Sequence, residues 1–146
     1  MTIKIQDIMK ARVISVTPHQ TVGHARELIT KNKINVLPVL GPEKEVLGIV
    51  SSADLLGTGS ASAPLSQVMT QSVYTIPLYA DVELAARMMR KHKIHHLVVI
   101  DEKKLAGILS SFDLLQLIEG HRFVMKNAPT PARNGGGRRR RAESAS

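Results

Sequence analysis

Gly48-Ile49-Val50-Ser51-Ser52-Ala53-Asp54-Leu55-Leu56 is a stretch that occurs twice, returning as Gly107-Ile108-Leu109-Ser110-Ser111-Phe112-Asp113-Leu114-Leu115. In each copy a Gly-containing hydrophobic run, Val46–Val50 or Leu105–Leu109, reads as a short strand. Ser-x-x-Asp then opens a helix, because a Ser oxygen can accept from the first unpaired backbone N–H groups. A single copy is most simply a capping box with Asp in place of Glu. The same geometry also suits a phosphate or a sugar, since a helix N-terminus presents N–H donors and positive potential. Two copies, each closing a longer repeat, strengthen that second reading.

Working outward, Ile5-Gln6-Asp7-Ile8-Met9 aligns with Leu65-Ser66-Gln67-Val68-Met69, a hydrophobic-x-x-hydrophobic-Met pattern that leads each copy. Val13–Val16 and Val73–Ile76 follow as short strands, each ended by a proline, Pro18 or Pro77. Thr21 and Asp81 occupy matching N-cap positions. The helices they open cover about 22–31 and 82–91, with Val22, Ala25, Leu28 and Ile29 in one and Val82, Ala85, Ala86, Met88 and Met89 in the other at helical spacing. Buried strands come next at Ile34–Leu40 and Ile94–Ile100, then a turn, one residue longer in the first copy, then the Gly-containing strand. The expected architecture is a mixed α/β (α+β) fold of two β-α-β-β-α repeats. The first spans 5–56 and the second 65–120, with a small-residue linker over 57–64. The last helix should run from Ser111 to about Glu119 and end at Gly120. An arm at 121–126 would pack through Phe123 and Met125, and the Pro-, Gly-, Ser- and Arg-rich residues 127–146 should form a disordered basic tail.

Composition narrows the function. The chain has 43% hydrophobic but only 3% aromatic residues, so its core must be aliphatic. With no Cys, disulfides, thiolate metal sites and thiol catalysis are excluded together. No apolar run approaches the roughly 20 residues of a membrane span, and the N-terminus lacks a secretion signal, so a cytoplasmic protein with no membrane association is expected. The net charge of +8 owes half its excess to Arg138–Arg141 and attracts anions without choosing among them.

The leading hydrophobic-x-x-hydrophobic-Met, Leu37-Pro38-Val39 with its counterpart Leu97-Val98-Val99, and the paired Gly-hydrophobic-hydrophobic-Ser-x-x-Asp together resemble a tandem CBS-domain pair of the stand-alone prokaryotic type. The family takes its name from cystathionine β-synthase, and the resemblance covers about residues 5–120. It implies two repeats packed through their sheets about a pseudo-twofold axis. It also implies two clefts for a regulatory adenosine compound: AMP, ADP, ATP or S-adenosylmethionine. By that resemblance Asp54 and Asp113 would hold ribose hydroxyls, which an ionised carboxylate accepts strongly. Ser51 and Ser110 would help hold phosphate. Adenine would rest between Ile49 or Ile108 and the residues of the Ile34–Leu37 or Ile94–Leu97 strand. The cleft of Ser110, Asp113 and His96 would be completed by Gln20 and Asn35; the other would use Ser51 and Asp54 with Ala80 and His95. The family often places a basic residue where His96 stands, and Val36 occupies the matching position, so the two clefts are not expected to bind equally and the His96–Asp113 cleft is the stronger candidate.

His92, His95 and His96 invite a metal reading, but adjacent strand residues point to opposite faces and cannot share one ion, so no metal is expected. No nucleophile–base pair or Gly-rich phosphate loop supports an enzyme. The leading expectation is a homodimeric nucleotide-sensing module acting on a partner protein. A ligand-free interaction scaffold ranks second. A nucleic-acid binder using the Arg run ranks last, because few aromatic residues are available for base stacking.

Overall fold

The computed structural model describes residues 3–57 and 59–119. The expected Gly120 cap, the arm at 121–126 and the basic tail lie outside the described residues. Two short helices, α1 (Ile5–Ile8) and α3 (Ser52–Leu56), accompany three longer ones, α2 (Val22–Asn32), α4 (Val82–His92) and α5 (Ser111–Glu119). The strands are β1 (Val36–Leu40), β2 (Val46–Ser51), β3 (Thr75–Pro77), β4 (His96–Asp101) and β5 (Lys104–Ser110). β1 and β2 form an antiparallel hairpin, and β4 and β5 form its counterpart, with β3 added in parallel to β4. Helices α2 and α4 bury Val22 and Ala25, and Val82, Ala85 and Met89, along one stripe each, as their spacing predicts. Both end on a lysine in the left-handed conformation, Lys33 and Lys93, which turns the chain sharply into the next strand.

The pseudo-twofold is visible in the pairing. Backbone contacts recur in equivalent pairs with the two repeats exchanged. The Lys10–Ile108 bridge answers the Thr70–Ile49 bridge, and Lys4–Asp81 answers Pro64–Thr21. The leading segments are therefore swapped between repeats. Ile5, Ile8 and Met9 pack into the core of the second repeat with Ile76, Leu97 and Leu109. Leu65, Val68 and Met69 pack into that of the first with Val16, Leu37 and Val50. Each repeat as written in sequence is thus incomplete in space without the other's first residues.

That swap explains the repeated glycine. A Cβ on Gly107 would stand 2.6 Å from the Lys10 carbonyl oxygen and 2.7 Å from Met9 Sδ. On Gly48 it would stand 2.9 Å from the Thr70 carbonyl oxygen and 2.8 Å from Met69 Sδ. Glycine in the strand and methionine in the leading segment are two halves of one close approach.

Two expectations need correction. Val13–Val16 is not a strand matching β3; only Val16 bridges, to Val39. In the second repeat the amide of Val98 donates to Tyr74 O, and its counterpart in the first repeat is Pro38, which has no N–H. Asp81 stands at the N-cap of α4 but makes no side-chain cap; its Oδ1 pairs with Lys4 Nζ at 2.7 Å. Thr21, by contrast, accepts from His24 N as a cap.

Candidate functional site

Both Ser-x-x-Asp sequences form complete capping boxes. Ser51 Oγ accepts from Asp54 N at 3.2 Å, while Asp54 Oδ2 accepts from Ser51 N at 2.9 Å. Ser110 and Asp113 repeat this at 3.0 and 2.9 Å. The N–H groups of Ser52 and Ser111 donate to Asn35 O and His95 O. Two of the first three amides of each helix are therefore already satisfied. The sequence-based picture of open N–H donors is correspondingly reduced, and side chains must supply most of the binding chemistry.

Each cap lies at a cleft between the repeats. The first, about 380 Å³, is lined by Ser110, Asp113, Ile108, His95 and His96 of the second repeat. From the first repeat come Asn35, Val36 and Ile34, with Lys10, Arg12, Val13, Ile14 and Lys33. The second, about 580 Å³, is lined by Ser51, Asp54 and Ile49, by Asn35 and Val36, and by Thr70, Ser72–Tyr74 and Ile94–His96. Both volumes fall in the range of small-molecule sites. Asn35, Val36, His95 and His96 border both clefts, so the two meet across the pseudo-twofold.

Ten of the twelve residues singled out in the sequence come together here. Gln20 and Ala80 do not line either cleft. Their carbonyls accept from Leu65 N and Ile5 N, equivalent bonds that hold the swapped leading segments in place. Gln20 Oε1 is also occupied, by Thr17 N at 2.9 Å.

Sequence reasoning missed Lys10. Its Nζ lies 2.6 Å from Asp113 Oδ1, and the Asp113 side chain is 2% exposed against 62% for Lys10. Burial favours the protonated carboxyl. The bond from Lys10 and those from the Ser110 amide and hydroxyl outweigh it and hold Asp113 below its ordinary value. His96 is pushed below its ordinary value mainly by burial, then by His95, with Lys10 adding to them and Asp113 opposing. The signal for Lys10 was available: it directly follows Met9, as Thr70 follows Met69. Its partner lies in the other repeat, so spacing within one repeat could not pair them.

A pseudo-symmetric pair of repeats with exchanged leading segments and a capped cleft at each junction defines the class of this chain. It belongs to the CBS domain family, whose profile matches residues 5–59 and 65–120. It is 32% identical over 116 residues to a homoserine O-acetyltransferase of Methanosphaerula palustris, covering 78% of this chain and 24% of that protein. The chain thus spans about a quarter of the length of that relative. A solved structure of a candidate acetoin utilization protein from Vibrio cholerae superposes with a TM-score of 0.75 at 30% identity, covering 84% of this chain and 99% of the other. The structure of CBSX2 in complex with AMP superposes with a TM-score of 0.74 at 27% identity, covering 80% and 96%.

Proposed function

We propose that this chain is a regulatory module that binds an adenosine compound between its repeats and acts, as a homodimer, on a partner protein in the cytoplasm. The observation that carries the reading is the coincidence of both Ser-x-x-Asp caps with the two inter-repeat clefts. Each cleft offers an apolar platform, Ile108 with Ile34 and Val36, or Ile49 with Ile94, suited to a purine. Each sets a carboxylate beside it, whose remaining lone pairs suit ribose hydroxyls. The AMP complex of a relative at 27% identity supports the adenosine class. ADP, ATP and S-adenosylmethionine share that core and belong to the same proposal.

A second reading, the ligand-free scaffold, is favoured by one observation: the carboxylates are already engaged in capping, and Asp113 in an ion pair as well. Calorimetric titration with AMP separates the two. Binding in the micromolar to millimolar range, about −8 to −4 kcal/mol, is the expected result. No heat and no rise in melting temperature at millimolar AMP, ATP and S-adenosylmethionine would establish the scaffold instead.

A further inference from the structure

We propose that the two clefts sort their ligands by charge: the Asp113 cleft takes a phosphate-bearing adenosine compound and the Asp54 cleft takes one without phosphate. This rests on the reading above that the clefts hold adenosine compounds. The argument begins with the swapped segments. Lys10 and Arg12 line the Asp113 cleft, and their equivalents in the Asp54 cleft are Thr70 and Ser72. Lys33 adds a third cation to the first cleft. Its equivalent Lys93 lines a separate shallow depression beside Arg90 and Ser111.

The Asp113 cleft therefore sets three cations against one carboxylate. Lys10 neutralises Asp113 at 2.6 Å, and Arg12 and Lys33 have no acidic partner among the described residues, which leaves them as positive charge at its wall. Among the described residues lining the Asp54 cleft there is no Lys or Arg, and Asp54 is its one formal charge with the histidines neutral. A phosphate there would meet a carboxylate with nothing to offset it. Size does not account for the difference, since the cleft that lacks cations is the larger. The Asp54 cleft has instead an aromatic wall, Tyr74, where the other has Ile14, and that ring is held by stacking on His92 at 4.2 Å. A ring fixed in this way offers stacking to a purine and no attraction to its phosphates.

The test is calorimetric titration of the full chain at low salt with three probes: inorganic tripolyphosphate, ATP and adenosine. The proteins compared are wild type, Lys10→Thr with Arg12→Ser, Arg12→Ser alone, and Thr70→Lys with Ser72→Arg. The double variant of the first cleft should weaken tripolyphosphate and ATP by about tenfold or more while changing adenosine little. Arg12→Ser alone, which leaves the Lys10–Asp113 pair intact, should show a loss of several-fold in the same direction. Thr70→Lys with Ser72→Arg should add a second ATP to the stoichiometry. Arg138–Arg141 are present in every protein, so any binding by them cancels in the comparison. Equal ATP and tripolyphosphate affinity across the four proteins would overturn the sorting and, if adenosine still bound, leave the adenosine reading standing. Tripolyphosphate binding lost with Lys10 and Arg12, in a protein that ignores every adenosine compound, would overturn the adenosine reading and leave the Asp113 cleft as a plain anion site.

Discussion

Asp54 and Asp113 carry the same motif and the same capping box, yet they are different sites. Asp113 is 1% exposed and ion-paired, whereas Asp54 is half-buried and has no ion pair among the described residues. The ion pair comes from outside the Ser-x-x-Asp sequence. The difference comes from the leading segment of the other repeat, which brings Lys10 to one cap and Thr70 to the opposite one. The motif fixes a helix start, and the exchanged partner decides what charge that start presents.

The largest expected effect tests this directly. Asp113→Ala removes a buried carboxylate with a charged hydrogen bond and a cap, and should lower stability by about 2–3 kcal/mol. Asp54→Ala loses only the cap side chain, about 1 kcal/mol. Urea unfolding measures both. In a Lys10→Thr background the two losses should converge; if they stay apart, Lys10 is not the source of the asymmetry. The acid limb carries the same signature. Asp113 is held below its ordinary 3.8, so its contribution is present above that pH and lost as pH falls through the lower folded value. Stability of Asp113→Ala should accordingly fall less steeply below about pH 4.

A smaller effect is expected where the leading segments touch the strands. Gly107→Ala places a Cβ against the Lys10 carbonyl at 2.6 Å, and Gly48→Ala against that of Thr70 at 2.9 Å. Both should cost about 1–3 kcal/mol through overpacking, with Gly107 the costlier. The Gly107 variant should also weaken the Lys10–Asp113 pair, seen as an Asp113 carboxyl titrating closer to its ordinary value by NMR. An unchanged denaturation midpoint in both variants would show that the segments yield freely and that the close approach is not what requires glycine.

The repeat, its longer helices and both hairpins were legible in the sequence because each leaves a local trace: hydrophobic period, cap chemistry, turn residues; ten residues named through the family resemblance line the clefts. What was not legible depends on the exchange. Gln20 and Ala80 sit at equivalent positions next to the helix N-caps and looked like cleft residues, but their backbone carbonyls are spent on Leu65 and Ile5. Side-chain identity carries no information about a backbone bond of that kind. Lys10 leaves no local trace for the opposite reason: the partner of its side chain lies in the distant helix α5. The openness of the helix N-termini was overread because Asn35 and His95 contribute through their carbonyls, which any residue could supply.

The smallest effect concerns a place where the two repeats differ in backbone pairing. β3 makes a three-residue parallel ladder with β4, but the first repeat has only the Val16–Val39 bridge. If the missing donor of Pro38 is the cause, Pro38→Val should restore it, since Val98 occupies the equivalent position and donates to Tyr74 O at 3.2 Å. The gain of one backbone hydrogen bond, about 0.5–1.5 kcal/mol, is offset by the greater freedom of the unfolded chain without proline, about 0.4–1 kcal/mol. Net stability should therefore barely move, and the informative readout is amide hydrogen exchange. Residue 38 should acquire a protected amide, and Val16, already donating to Pro38 O at 3.0 Å, should slow further as the ladder lengthens toward Ile14. An unprotected amide at residue 38 would mean that the path of residues 13–15, which line the Asp113 cleft through Val13 and Ile14, is set by the cleft and not by the proline.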